Sequence, residues 1–537
     1  MLRAHSIDRE VVLCKKKATP PSQIEGVPTV EEIKKTIRSH CEQIINFCTE
    51  ERHGESFFSF EKALMTLVSQ LGCLFVQLFL IALHQRLSYA QWLEGGVYSV
   101  KKEPIARTIK TVYGKVRYWR TYLMRKNGGG FYPLDTVLGL SADGFSPWVM
   151  SLCTKLATRV SFGTSELLFR SFYGWSPSSE AIECLVLGLG RQASTYMEVV
   201  TPPENDGEVL VIECDGKATP TATEEELSKR RGKRRKKGGC HCGCQRHRGK
   251  ARRQCRKRKC WKKGDKSKNG RSTTIAVMYT LKIGSDGRLH GPINKKVWAT
   301  YAPRKVMFAW IRRQASRRGF PPETKKHIHI VIDGEPCLWK GLSERFPKAT
   351  FSLDIRHLEE KLWETGRSFH KEGSKELEEW VEDKRSLLYA GRASELVSQL
   401  KELKKTLSRR AKRDQGKWEA LTKLIHYMEP RLAMMAYKKF IDEDLPIASG
   451  IVEGASRYVI GERMDCSGMR WIPGRAEALL HLRCIELNGD WDSFFDWAYR
   501  QWVERLRQAE KVLVRTEEPI DLSDSTLNKQ QELDDAA

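Results

Sequence analysis

The chain has 537 residues, 40% of them hydrophobic and 30% charged. That is too long for one ordinary compact domain and too apolar for a disordered chain, so roughly two to four domains with real cores are expected. The net charge of +26 points to a polyanionic partner, and it is concentrated: residues 229–271 carry 22 Lys and Arg against one acid, Asp265, leaving the rest of the chain near neutral.

In chain order, residues 1–27 are polar and Pro-containing and read as a flexible arm. Residues 28–200 read as mainly helical, with apolar residues recurring at three and four in EEIKKTIRSHCEQIINF and FEKALMTLVSQLGCLFVQLFLIALHQRL. Within them, Leu67 to Leu87 is interrupted by Ser69, Gln70 and Gln77, and its longest apolar run is short of the roughly 18–20 residues that span a bilayer. It reads as a buried helix or a dimerisation face. Ile109 to Leu123 alternates basic with β-branched and aromatic residues, which predicts a hairpin turning at Gly114. Short helices are expected from Gly130 to Tyr196, where a DNA-end-binding helix-turn-helix and plain helical packing are both open readings.

The 15 cysteines do not form a secreted disulfide framework: Cys73, Cys153 and Cys184 are isolated in apolar stretches, and Met1 to Lys17 holds no apolar signal core. A reducing, cytoplasmic setting is expected.

An α/β pattern begins near Glu208. VLVIECD, TTIAVMYTLKIG and KKVWATYA are strand candidates, followed by a helix, the strand HIHIVID, a second helix and the strand ATFSLDI. This order predicts a mixed sheet flanked by helices. Residues 207–357 would be the first part of that core, interrupted by the basic insert 229–271. Residues 358–445 would be an all-helical insertion, residues 446–515 the rest of the core with C-terminal helices, and 516–537 an acidic disordered tail.

Two acids stand where the predicted strands end, Asp215 in CDGK and Asp333 in IDGE, each followed by Gly. Open α/β sheets place their sites at that edge. Glu453 lies in the first turns of a helix in SGIVEGASRYVI. Carboxylates from separate elements are what two divalent cations need for phosphoryl transfer, and oxygen ligands suit Mg²⁺, with Mn²⁺ as a substitute.

Several segments together resemble bacterial insertion-sequence DDE transposases of the Kra group, within the ribonuclease H-like superfamily. They are LDTVLGL at 134–140, CDGKATPTATEEELSKRRGKRR at 214–235, KGDKSKNGRSTTIAVMYTL at 263–281, VIDGEPCLW at 331–339, LDIRHLEEKLW at 353–363, SGIVEGASRYVIGERMDCSGMRW at 449–471 and LRCIELNGDWDSF at 482–494. The resemblance covers about residues 105–500. It implies a ribonuclease H-like core, metal-binding roles for Asp215, Asp333 and Glu453, and a helical insertion before Glu453. It offers an active-site role for the Asp354–His357 pair, either at the scissile phosphate or as a structural hydrogen bond, with Asp354 open as a fourth ligand. It implies double-stranded DNA as partner, both transposon ends and target, a homodimer or larger assembly on that DNA, and a place on the bacterial nucleoid.

The basic insert offers Arg234, Arg235, Lys236, Lys237, Arg252, Arg253, Lys263, Lys266 and Lys268 to phosphates. It also holds Cys240, Cys242, Cys244, His247, Cys255 and Cys260, a candidate Zn²⁺ set, although the C-x-C-x-C spacing departs from paired C-x₂-C and the resemblance implies only a basic insert. A flexible phosphate-gripping arm is the competing reading. Beyond Glu453, Arg457, Arg463 and Arg470 are candidate phosphate contacts, and Trp471 is either a base-stacking platform or core. Two other functions share these residues: a ribonuclease H-like nuclease without strand transfer, and a domesticated or inactive DNA-binding protein.

Overall fold

In a computed structural model, which describes residues 27–50, 54–101, 103–225, 270–466 and 469–509, the first helix starts at a capping box. Thr29 accepts the backbone N–H of Glu32 at 3.2 Å, and the Glu32 carboxylate accepts that of Thr29 at 2.7 Å. The basic insert with its Cys/His set, the acidic tail and nearly all of the N-terminal arm lie outside the described residues. The chain divides into two units, one of residues 1–152, 171–175 and 496–537, the other of 153–170 and 176–495.

In the first unit, α1 (Val30–Thr49) packs along α2 (Phe57–Arg86), with Ile33 and Ile37 against Ile81, Leu71, Leu74 and Leu78. Strand β1 (Tyr98–Val100) leads to the predicted hairpin, formed by β2 (Ile105–Thr111) and β3 (Gly114–Arg120). Thr111 pairs with Gly114, whose φ of 141° only glycine adopts readily. Ile109, Val116 and Tyr118 of the hairpin close on Leu80, Cys73, Val76 and Leu83 of α2. Short strands β4 (Leu123–Arg125) and β5 (Gly130–Phe131) complete a small antiparallel sheet with β1. Contrary to the expectation of a buried helix, α2 leaves Phe57, Phe58, Met65, Val68, Phe75 and Phe79 exposed. By length and composition it is also apolar enough to cross a membrane.

Asp135 of the LDTVLGL segment is a buried node in this unit. It accepts the Tyr118 hydroxyl at 2.7 Å and the Arg107 guanidinium at 2.8 Å, and pairs with Arg120. Farther along, the Trp502 indole donates to the Gly139 carbonyl at 3.1 Å and the Tyr499 hydroxyl to that of Leu138.

The second unit is mixed α/β, built on a five-stranded sheet in the order β10-β9-β6-β7-β8. Strands β6 (Val209–Pro220), β7 (Gly270–Ile283) and β8 (Leu289–Thr300) form an antiparallel meander. Strands β9 (His327–Ile332) and β10 (Thr350–Leu353) then add parallel to β6, each after a helix, Arg304–Arg317 and Pro336–Ser343. The crossovers bury Met307, Phe308, Ile311, Leu338 and Leu342. On β8, Trp298 stacks between Trp310 and His481, which ties the helix Pro473–Leu487 to the sheet.

From Ile355 to Ala509 the described residues contain no named strand. Helices Lys375–Tyr389, Ala393–Lys405 and Lys412–Met428 bury Leu377, Leu388, Leu396, Leu400, Leu421 and Met428 among themselves.

Candidate active site

The central strand β6 is buried from Val209 to Cys214 because it has neighbours on both sides. Its parallel partner β9 stops at Ile332, opposite Cys214, so Asp215 and Asp333 are the next residues on two adjacent strands at one edge. The expectation that β6 ends at Asp215 needs correction. The strand runs on to Pro220, paired with β7 down to Gly270, and the β6–β7 arms continue toward the basic insert. Only β9 releases its chain there, through Gly334 at φ 79°. A Cβ on Gly334 would press on Leu353, the Tyr427 hydroxyl and Arg431, so the close approach also requires glycine.

The helical region holds that exit in place. The Tyr427 hydroxyl donates to the Asp333 carbonyl at 2.6 Å, and the Arg431 guanidinium to the Gly334 carbonyl at 2.6 Å. At the neighbouring strand exit, the Tyr437 hydroxyl donates to the Leu353 carbonyl at 2.9 Å.

Asp354 follows β10 and is fully buried, capping the helix Ile355–Gly366 by accepting the Arg356 N–H at 2.9 Å. Its other oxygen meets His357 Nδ1 at 2.8 Å and accepts the Ser449 hydroxyl. Burial would raise this carboxyl, but the bonds from His357, Ser449 and Arg356 together hold it below its ordinary value. The same bond to Asp354 lifts His357 to about 9, against burial, so the imidazole is a cation at neutral pH. Glu453, on the helix Gly450–Ala455, stands 3.6 Å from His357 Nδ1. Asp354, His357 and Glu453 are, among the described residues, the one group of three potential metal-ligating side chains whose atoms lie within 4.8 Å of one another.

Asp215 and Asp333 do not join that group, although their charges reach it. Asp333 is raised chiefly by burial, with the Asp215 charge adding to it. Glu453 is raised by burial and then by the charges of Asp354 and Asp215. Among the described residues no Lys or Arg forms an ion pair with Asp215, Asp333 or Glu453. Asp215 Oδ1 accepts the Gly216 N–H at 2.6 Å and Asp333 Oδ1 that of Glu335 at 2.9 Å. Each of these acids therefore keeps a second oxygen for a ligand. An all-oxygen set on three elements fits Mg²⁺ or Mn²⁺. Asp354 fits less well, since both of its oxygens are taken and its proton-bearing partner is His357.

Glu213 was absent from the sequence reading. It is fully buried, and its carboxylate accepts the Val452 N–H at 2.8 Å and the Tyr279 hydroxyl at 2.8 Å. Burial, reinforced by the charges of Asp354 and Glu453, raises it to about 7. It ties the first turn of the Glu453 helix to the central strand. A lone acid inside the apolar run VLVIECD was the available signal. Ser449, Tyr427 and Arg431 carried no sequence signal of comparable strength.

Beyond Glu453 the helix opens into a π-helical turn, Ser456–Gly461, with Arg457 exposed. π-Turns recur at functional sites. Two other candidates require correction. Arg463 is buried, donates to the Ala157 carbonyl at 2.9 Å and lies over the rings of Phe162 and Trp471. Trp471 is buried as well, its indole donating to the Met464 carbonyl at 2.9 Å, while its backbone pairs with the end of β6 at Pro220 and Ala222. Both are core: the Arg463 guanidinium and the rings of Phe162 and Trp471 pack on one another, which leaves 2% of Arg463 and 9% of Trp471 exposed. Arg470 is half-buried, and its Nη1 has no hydrogen-bond partner among the described residues.

No protein-family model and no curated protein sequence matches the chain.

Proposed function

We propose that this chain is a metal-dependent DNA transposase that cleaves the ends of a mobile element and joins them to target DNA. The observation that carries the reading is the placement of Asp215 and Asp333 side by side at one sheet edge, with Glu453 near enough for the Asp215 charge to raise it, each with an open oxygen and, among the described residues, none paired to a Lys or Arg. Like charges held together raise one another's pKa, and such a cluster is a cation site waiting for charge. The sheet supports it further. A three-stranded antiparallel meander followed by two parallel strands on the far side of the first strand is the arrangement expected of a ribonuclease H-like core.

Asp215, Asp333 and Glu453 would hold Mg²⁺ or Mn²⁺, which when bound lowers the pKa of a water and neutralises charge on the phosphate. The chain's own part is to orient that centre and to meet the DNA. Tyr427 and Arg431 fix the backbone of the Asp333 turn. Glu213 fixes the Glu453 helix. His357, cationic and one-third exposed, offers a charge-assisted hydrogen bond to a non-bridging phosphate oxygen. In the first step the water oxygen bonds to phosphorus as the strand's 3′ oxygen leaves and takes up a proton. In the second, that 3′-hydroxyl bonds to a target phosphorus, loses its proton and expels the target's own 3′ oxygen.

The test is cleavage of labelled terminal DNA in Mg²⁺ by the wild type and by Asp215→Asn, Asp333→Asn and Glu453→Gln. Loss of cleavage with DNA binding retained is expected, and full cleavage by all three variants overturns the reading. Cleavage without joined products would instead favour a nuclease.

A further inference from the structure

Helix α2 carries three faces, and its own unit covers two. One packs on α1 through Leu71, Leu74 and Leu78, the other on the hairpin through Cys73, Val76, Leu80 and Leu83. Among the described residues nothing covers the third, where Phe58, Met65, Val68, Phe75 and Phe79 are each between 45% and 71% exposed. Positions 58, 65, 72, 79 and 86 repeat every seven residues, and so do 61, 68, 75 and 82. Together they make the alternating three- and four-residue steps of a seam that meets another helix.

A membrane is a poor occupant. To be surrounded by lipid, α2 would have to shed α1 and the hairpin. It would also lose the Gln77 bond to the Arg117 carbonyl at 2.8 Å and the His84 contact with Thr121 at 3.0 Å. A second copy of α2 fits better, on area and on charge. A buried Phe carries about 150–250 Å², so these five side chains leave on the order of 400–500 Å² of apolar surface per chain. A standard interface buries about 800 Å² per partner, a little over half of it apolar.

We propose that this face is where two copies of the chain join, α2 against α2, antiparallel about a two-fold axis level with Cys73 and Leu74. That register places Glu61 of one protomer opposite Arg86 of its partner, Met65 opposite Ala82, Val68 opposite Phe79 and Gly72 opposite Phe75. Charge meets opposite charge at both ends, and near the middle the Tyr113 ring covers Gly72, so the partner's Phe75 would pack beside that ring. A parallel pair would set Glu61 on Glu61 and Arg86 on Arg86. A two-fold contact is self-complementary in this way by necessity. The inference does not depend on the transposase reading.

The experiment is sedimentation equilibrium of the DNA-free full chain, together with flotation on vesicles of phosphatidylethanolamine and phosphatidylglycerol. The wild type is expected at twice 61.7 kDa at micromolar concentration. The double variant Phe75→Lys, Phe79→Lys should be a monomer with an unchanged melting temperature. Glu61→Lys and Arg86→Glu should each weaken the dimer at least 10-fold, and the two combined should restore it. A monomeric wild type, a dimer indifferent to the Phe variants, or vesicle binding by a monomer that those variants abolish each overturns the proposal. Failure of the charge swap to restore the dimer overturns the antiparallel register.

Discussion

The carboxylates of the two units sit in opposite surroundings. In the N-terminal unit, Asp135 is surrounded by donors: Tyr118, Arg107 and Arg120 all converge on it. In the other unit, Asp215, Asp333 and Glu453 share one edge with no Lys or Arg paired to them, and two of the three are raised by burial and mutual repulsion. The first arrangement is complete within the protein and serves stability. The second leaves its carboxylates without a Lys or Arg partner, which is what the proposed metal site needs.

The sharpest way to break this comparison is to neutralise one acid in each set. Asp333→Asn should cut Mg²⁺-dependent DNA cleavage by about 10³-fold or more, while leaving the protein as stable as wild type, because it removes repulsion. Asp135→Asn should do the reverse, costing about 3–5 kcal/mol in urea denaturation by leaving two half-buried guanidinium groups short of their counter-charge. If Asp333→Asn destabilises as much as Asp135→Asn, the distinction fails.

Next in size is the metal itself. Mg²⁺ or Mn²⁺ at about 100 times its dissociation constant should stabilise the wild type by about 2.7 kcal/mol in thermal melts. The triple variant Asp215→Asn, Asp333→Asn, Glu453→Gln should show no such gain. An equal gain in the triple variant would move the cation elsewhere.

A smaller effect is expected with pH, in the absence of metal. His357 keeps its proton to about pH 9 when folded and to about 6.5 when unfolded. Its pairing with Asp354 therefore stabilises fully below about pH 6.5 and is lost as the pH rises through 9. Melting temperatures measured from pH 6.5 to 9.5 should fall more steeply for wild type than for His357→Gln, and parallel curves would remove the pair from the ledger of stabilising contacts.

The smallest change is Tyr427→Phe, which deletes one hydrogen bond to the Asp333 carbonyl and should cost about 1 kcal/mol. Its cleavage rate should drop further than that loss of stability explains, since the carboxylate turn is freed. An unchanged rate would make the contact purely structural.

Much of the scaffold was legible along the chain. Alternation in IKTVYGKVRYWRTYL located the hairpin, and the order of apolar runs after Glu208 matched the succession of strands and helices now seen in the sheet. Asp333-Gly334 was legible because a strand that must turn sharply needs glycine at positive φ. Asp215-Gly216 carried the same signal and misled, because β6 has a second partner in β7 that holds it extended past the point where β9 leaves. Local turn chemistry has no access to whether a neighbouring strand is still present.

What the sequence by itself determined is therefore periodic or local: which segments alternate and where a backbone must bend. Only the tertiary structure decided what depends on neighbours distant in sequence. It buried Arg463, a candidate phosphate contact, and decided for core over base stacking at Trp471, because Phe162 and the end of β6 close over them. It made Glu213 a tie to the Glu453 helix across more than two hundred residues. Among the described residues it also left one face of α2 uncovered, since hydrophobicity records that a helix wants covering but packing alone records which faces are covered.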